Sequence, residues 1–158
     1  MKKWMILILA MVTLTTACGR SETAAVPDID LEEFYEMLAK EYQWSDTYMV
    51  DIEEEMLDSY YPGLKDIPEE QLVAKMPMMS SVVNELVFME CDTEEDASNA
   101  VGILQDRIDV QANGGAWYPE SMEAWSHGIV IQQGTYVAMV ASAEYQDEIT
   151  EAFNQKFQ

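Results

Sequence analysis

Four kinds of side chain in this sequence could do chemistry: two cysteines (Cys18 and Cys91), one histidine (His127), three close methionines, and thirty carboxylates. A nucleophilic cysteine needs a basic partner to draw off its proton, and His127 is the one imidazole available to Cys91. Cys91 ends the strand-like run Glu85-Leu86-Val87-Phe88-Met89-Glu90, which reads instead as a thiol packed in a core. A single histidine excludes a multi-histidine metal site within one chain. Neither 51–55 (DIEEE) nor 92–96 (DTEED) has the sixth-place glycine or distal glutamate of an EF-hand loop. The second cluster reads better as acids at the positive end of a helix dipole. Met76, Met78 and Met79 are the soft ligands copper would want, although methionine more commonly fills cores. GxSxG, HExxH, CxxC and glycine-rich phosphate loops are missing from the sequence.

Cys18 has a different chemistry. Lys2 and Lys3 form a basic start, Trp4 to Val12 is an unbroken apolar run, and small residues lead to Ala17-Cys18-Gly19. This is the layout of a secretory signal whose cysteine takes lipid. The run is shorter than the about 20 apolar residues a spanning helix needs. Thr15 stands at −3 from the cysteine, where an aliphatic residue is usual. Residues 1–17 therefore read as a lipoprotein signal peptide. Residues 18–27 read as a flexible tether, too small and polar to bury a core, and residues 28–158 as a single domain. Acyl chains on Cys18 would hold the protein on the extracytoplasmic face of the cell membrane.

Loss of Lys2 and Lys3 with the signal takes the formal charge from −22 to −24. Such a chain repels nucleic acid and anionic head groups. With Cys18 acylated, Cys91 has no disulfide partner, so the core must hold the domain alone.

The elements that would position these residues follow from spacing. Leu31, Phe34, Tyr35, Leu38 and Tyr42 make one helical stripe within 28–44, capped by Asp28 or Asp30. A short helix is expected near Met56, Leu57 and Tyr60, ended by Tyr61-Pro62-Gly63. Residues 71–81 read as a strand that Pro77 breaks or places at an edge, and Asn84–Cys91 as the clearest strand. Residues 93–113 form a second long helix, with Thr93 as cap and Ala97, Ala100, Val101, Leu104, Ile108 and Gln111 on one face. The aromatic segment 116–126 (AWYPESMEAWS) reads as a cover over the core. A hairpin of 128–132 and 135–142 turns at Gly134, and a last helix runs over 143–157. Two hairpins separated by a helix imply the α+β class: a single antiparallel sheet of about four strands with helices packed on one face.

With that order the domain resembles an uncharacterised family of bacterial extracytoplasmic lipoproteins, domain of unknown function 4358. The resemblance rests on Asn84-Glu85-Leu86-Val87-Phe88, the long helix ending near Gln111, Tyr118-Pro119-Glu120 and Gly134-Thr135-Tyr136-Val137, and spans roughly residues 28–158. It implies the location and no activity, cofactor or catalytic residue.

The absence of catalytic motifs, the tether and the aromatic segment favour a non-enzymatic binding or accessory module. Trp117, Tyr118, Trp125 and Tyr136 are its candidate contacts with a protein or cell-wall partner. The alternatives are a cell-surface hydrolase using paired carboxylates and a weak divalent-cation binder.

Overall fold

The computed structural model describes residues 27–158. The expected signal peptide, Cys18 and the expected tether as far as residue 26 lie outside the described residues. Helix α1 spans Leu31–Glu41, strand β1 Met49–Asp51, helix α2 Glu54–Tyr60, and strands β2 and β3 Glu69–Pro77 and Asn84–Cys91. Helices α3 and α4 span Glu94–Val110 and Pro119–Ser126. Strands β4 and β5 span Ile129–Gln133 and Tyr136–Ser142, and helix α5 closes with Gln146–Gln155. The five strands form one antiparallel sheet in the order β1-β2-β3-β5-β4.

The α+β class holds, with one strand more than expected. Three-residue β1 is too short for an alternating pattern to show, and it pairs Met49 with Pro77. Pro77 is therefore the last residue of β2, and β2 lies inside the sheet with β1 at its edge. Proline costs little at the end of a ladder, where no further hydrogen bond is due from it.

Helices cover both faces, not one. Val87, Met89, Val137 and Met139 point toward α3 and α4, where Ala97, Ala100, Leu104, Ile108 and Trp125 complete a core. Leu86, Phe88, Ala138 and Val140 point the other way, toward Leu31, Phe34 and Leu38 of α1 and Ile149 and Phe153 of α5. Strands β3 and β5 are therefore buried on both sides, which is why each reads as a continuous apolar run instead of an alternating one. Phe88 meets Phe34 edge-on with ring centroids 5.1 Å apart and stacks on Phe153 at 6.0 Å.

The caps fall where side chains can accept orphan amides. Asp30 Oδ1 accepts from Glu33 N at 2.9 Å, and Thr93 Oγ1 from Asp96 N at 3.1 Å. Helix α1 stops short of the expected 44 because Gln43 adopts φ 57°, left-handed for a residue with a Cβ. Gly134, at φ 63°, supplies the tight turn between β4 and β5.

Phe88→Ala removes the ring shared by α1, β3 and α5. It should cost about 3–5 kcal/mol in urea denaturation, while Ile129→Ala, at an exposed edge position, should stay within about 0.5 kcal/mol of the parent. Similar small losses at both positions would contradict the packing described.

Candidate functional site

Strand β3 turns Glu85 toward α3, where only 4% of its surface is exposed. A carboxylate taken out of water needs a counter-charge and hydrogen bonds, and Glu85 has both. Arg107 of α3 donates from Nε to Oε1 at 2.8 Å and from Nη2 to Oε2 at 2.9 Å, the fork geometry in which arginine grips a carboxylate. Tyr61, at the end of α2, donates its hydroxyl proton to Oε1 at 2.5 Å. Burial opposes the charge on Arg107, but the bonds and charge of Glu85 outweigh it and hold the guanidinium above its ordinary pKa. Burial, then the neighbouring Glu85 charge, raises the Tyr61 phenol well above 10.0.

The guanidinium carbon lies 4.0 Å from the Tyr60 ring centroid, 5.3 Å from Trp125 and 5.9 Å from Tyr61, all within cation–π range. Three elements, α2, β3 and the C-terminal half of α3, thus meet on one charge pair, with Trp125 of α4 at its side.

Tyr60 and Arg107 form the wall between two clefts. One, of about 410 Å³, opens beside Ser59, Pro62, Ile103, Asp106 and Val110. The other, of about 520 Å³, is bounded by Ser80, Gln111, Trp117, Tyr118, Ser121 and Trp125. The turn after α3 makes the outer rim. Ala116 N donates to Gln111 O at 3.2 Å and Asn113 Nδ2 to Asp109 O at 2.8 Å. Gly114 takes φ 115°, and a Cβ on Gly115 would stand 2.8 Å from Val110 O. This glycine-dependent turn throws Trp117 outward, 93% exposed, with Tyr118 57% exposed beside it, before Pro119 starts α4 at a position where its missing N–H costs nothing.

The four aromatic residues singled out from sequence do not form one patch. Trp117 and Tyr118 are exposed on the rim, and Trp125 is buried beneath it against Arg107. Tyr136 is buried on the opposite face of the sheet, where its hydroxyl oxygen accepts from Ile29 N at 3.2 Å. That bond, with the Gln71 side chain bonded to Leu31 N and Ile29 O, seats the start of α1. The segment 116–126 is in good part helix α4, whose Trp125 packs on the core.

Sequence reasoning passed over Glu85, Arg107, Tyr60 and Tyr61. The signal was present. Arg107 falls on the Ala100–Leu104–Ile108–Gln111 face of α3, and Glu85 shares its side of β3 with Val87 and Met89. Opposite charges at two inward positions are the mark of a buried pair.

The other chemical candidates are spoken for. Cys91 is buried, and burial followed by the nearby Asp96 charge pushes its pKa up to about 11, so it is held as a thiol. His127 is exposed after α4. Asp51 pairs with Lys75 at 2.7 Å and Glu54 with Lys65 at 2.8 Å. Asp96 receives the Thr93 hydroxyl proton at 2.6 Å. Among the described residues no group of three or more His, Cys, Asp or Glu side chains is placed to hold a metal ion. Met76 packs on the core while Met78 and Met79 are exposed beyond the end of β2, so strand alternation does not govern the three together. The hydrolase reading needs two carboxylates in one cleft, one kept protonated. Glu85, the buried carboxylate among the described residues, is engaged by Arg107 and Tyr61 instead.

The family model for the domain of unknown function DUF4358 matches residues 42–142, and the chain belongs to that family. The match takes in the whole sheet and α2 to α4. No curated protein and no solved structure matches the chain.

The buried and half-buried phenols set an alkaline limit on stability. Burial raises the pKa of Tyr35, Tyr42, Tyr48, Tyr61 and Tyr136 above 10.0. Below about pH 10 these groups are neutral in both folded and unfolded chains. Above it the unfolded chain loses protons that the folded chain keeps, so stability falls as pH rises. The Cys91 thiol, held at about 11, adds an earlier loss that begins near its ordinary 9.0, so urea midpoints should be level from pH 7 to about 8 and then drop, and above pH 10 Tyr61→Phe should drop less steeply than the parent. A midpoint rising through that range would contradict the assignment.

Proposed function

We propose that this DUF4358 domain is a non-enzymatic binding module carried outside the cytoplasm on a lipid-anchored cysteine, and that the Trp117–Tyr118 rim is the face it presents. The observation that carries the reading is the exposure of Trp117. Burying a tryptophan is among the larger apolar gains open to a fold, yet here a rigid glycine turn and a proline-started helix hold it in solvent. A large aromatic side chain kept out of the core and rooted on fixed elements is what partner binding uses.

The clefts beneath the rim add depth. Val110 extends the apolar surface on one side, and Gln111, Ser80 and Ser121 bring hydrogen-bonding groups to the other. Because Glu85 cancels the charge of Arg107, the site offers no net positive charge to an anion. The formal charge of −22 likewise favours a neutral or basic partner.

Location rests on the basic, apolar and small-residue succession ending at Cys18. No helix of the described residues is long and apolar enough to cross a membrane, so the lipid on Cys18 is the attachment proposed. On this reading the tether lets the domain range a short distance from the bilayer.

Mass spectrometry of the native protein should find the mature chain beginning at a diacylated Cys18, and Cys18→Ser should release it from the membrane fraction. An unmodified cysteine or an N-terminus elsewhere overturns the anchored reading. For the face, crosslinking in intact cells should capture a partner that Trp117→Ala loses and Ile129→Ala keeps. Capture unaffected by both Trp117→Ala and Tyr118→Ala would remove the proposed site.

A further inference from the structure

Among the described residues five large apolar side chains are more than half exposed, and all five fall at one pole of the molecule. Trp117 and Tyr118 stand on the rim, and Val110 ends α3 just before it. Met78 and Met79, each 63% exposed, begin the turn from β2 to β3. The same turn supplies Ser80 and Val83 to the cleft under Trp117. Two steps of chain, about 8 Å, are the most that separates Met78 from Ser80. Single apolar residues on a surface need no explanation, but a cluster around a cleft marks an interaction site. Methionine, flexible and polarisable, suits a surface that must fit an uneven apolar partner.

The sheet fixes where this pole lies. Strand β2 ends and β3 begins there, at Pro77 and Asn84. The chain enters the domain at the other end of β3. Ile29 N bonds the Tyr136 hydroxyl and Leu31 N the Gln71 side chain, and both Tyr136 and Gln71 pair with Glu90 in the ladder. Glu90 is six residues beyond Asn84, or about 20 Å along the strand. A lipid on Cys18 would therefore attach at the end of the sheet away from the patch, which argues against the bilayer as the surface that covers it.

Carboxylates border the patch. Asp106 and Asp109 are exposed on the cleft that holds Val110, and Glu120 is exposed at the start of α4, two residues after Tyr118. No lysine lines either cleft, and Glu85 neutralises Arg107. An apolar centre with an anionic border complements an apolar stripe bordered by lysine or arginine. Two clefts that share the Tyr60–Arg107 wall accept side chains standing next to each other, as those at i and i+4 of a helix do. An extended peptide draws its affinity from an open strand edge, and no residue lining these clefts belongs to a strand.

We propose that this pole binds a basic amphipathic helix of a partner protein, with its apolar stripe on Met78, Met79, Trp117 and Tyr118 and its cationic borders on Asp106, Asp109 and Glu120. The proposal rests on the reading of the Trp117–Tyr118 rim as the binding face, and gives that face a partner class.

Calorimetric titration of the full-length chain with a leucine–lysine amphipathic helix of about five turns tests it. The probe should bind saturably, one to one, and a leucine–glutamate helix with the same apolar face at least about tenfold more weakly. A chain this acidic attracts any polycation, so the deciding variants are local. Met78→Ser with Met79→Ser should weaken the probe at least about tenfold, and Asp109→Asn severalfold, at an unchanged melting temperature. Met37→Ser, an exposed methionine on α1, should leave binding within about twofold of the parent. Neutral phosphatidylcholine vesicles should bind the parent and the Met78→Ser, Met79→Ser variant alike. No binding of the probe, equal binding of the two helices, equal losses from the Met37 and Met78–Met79 changes, or vesicle binding lost in the Met78–Met79 variant would each overturn the proposal. If that happens while crosslinked capture in cells still needs Trp117, the rim stands and only this partner class falls.

Discussion

The pair formed by Glu85 and Arg107 is the interaction on which the rest of this architecture turns. It is set where the end of α2, β3 and α3 meet, and it leaves each partner no second choice. Glu85 cannot stay buried without the guanidinium, and Arg107 cannot lie over Tyr60 and Trp125 without the carboxylate to neutralise it. The pair fixes the C-terminal half of α3, and so the point at which the glycine turn leaves it. The exposure of Trp117 therefore depends on a charge pair inside the core.

A second constraint is the double covering of the sheet. An antiparallel sheet commonly leaves one face to water, and this one does not. Strands β3 and β5 spend both faces on packing, α1 and α5 on one side and α3 and α4 on the other. With the broad surfaces used in this way, what is left for recognition is the ends of the sheet and the turns that leave the helices. The Arg107 clefts are found at such a place.

Much of this was legible in the sequence, and the parts that were not share a cause. The stripes of α1 and α3, the Thr93 cap, β3 and the Gly134 hairpin were all set by local spacing or turn chemistry, which a sequence displays directly. Three-residue β1 carries no period, so Pro77 looked like a strand break when it is a strand end. The covering of both faces was hinted at by the unbroken apolar runs of β3 and β5, but a run of that kind does not say which helix lies on which side. Among the aromatics, composition grouped Tyr136 with Trp117, Tyr118 and Trp125, and only the pairing of β3 with β5 shows that Tyr136 faces the other way. Glu85 and Arg107 are 22 residues apart, and their partnership is a fact of tertiary packing. The likeness to DUF4358 was readable from short motifs, and the family match carries no activity with it.

Function in this account is a matter of what the core holds outward. The charge pair anchors α3, and the turn after it presents the tryptophan. The most direct test is a double-mutant cycle in urea on Glu85→Leu and Arg107→Met. If the two act as one unit, each single change costs about 3–5 kcal/mol and the double variant is more stable than their sum predicts by about 1–3 kcal/mol. Strictly additive losses would show that the pair does not hold α3 in place.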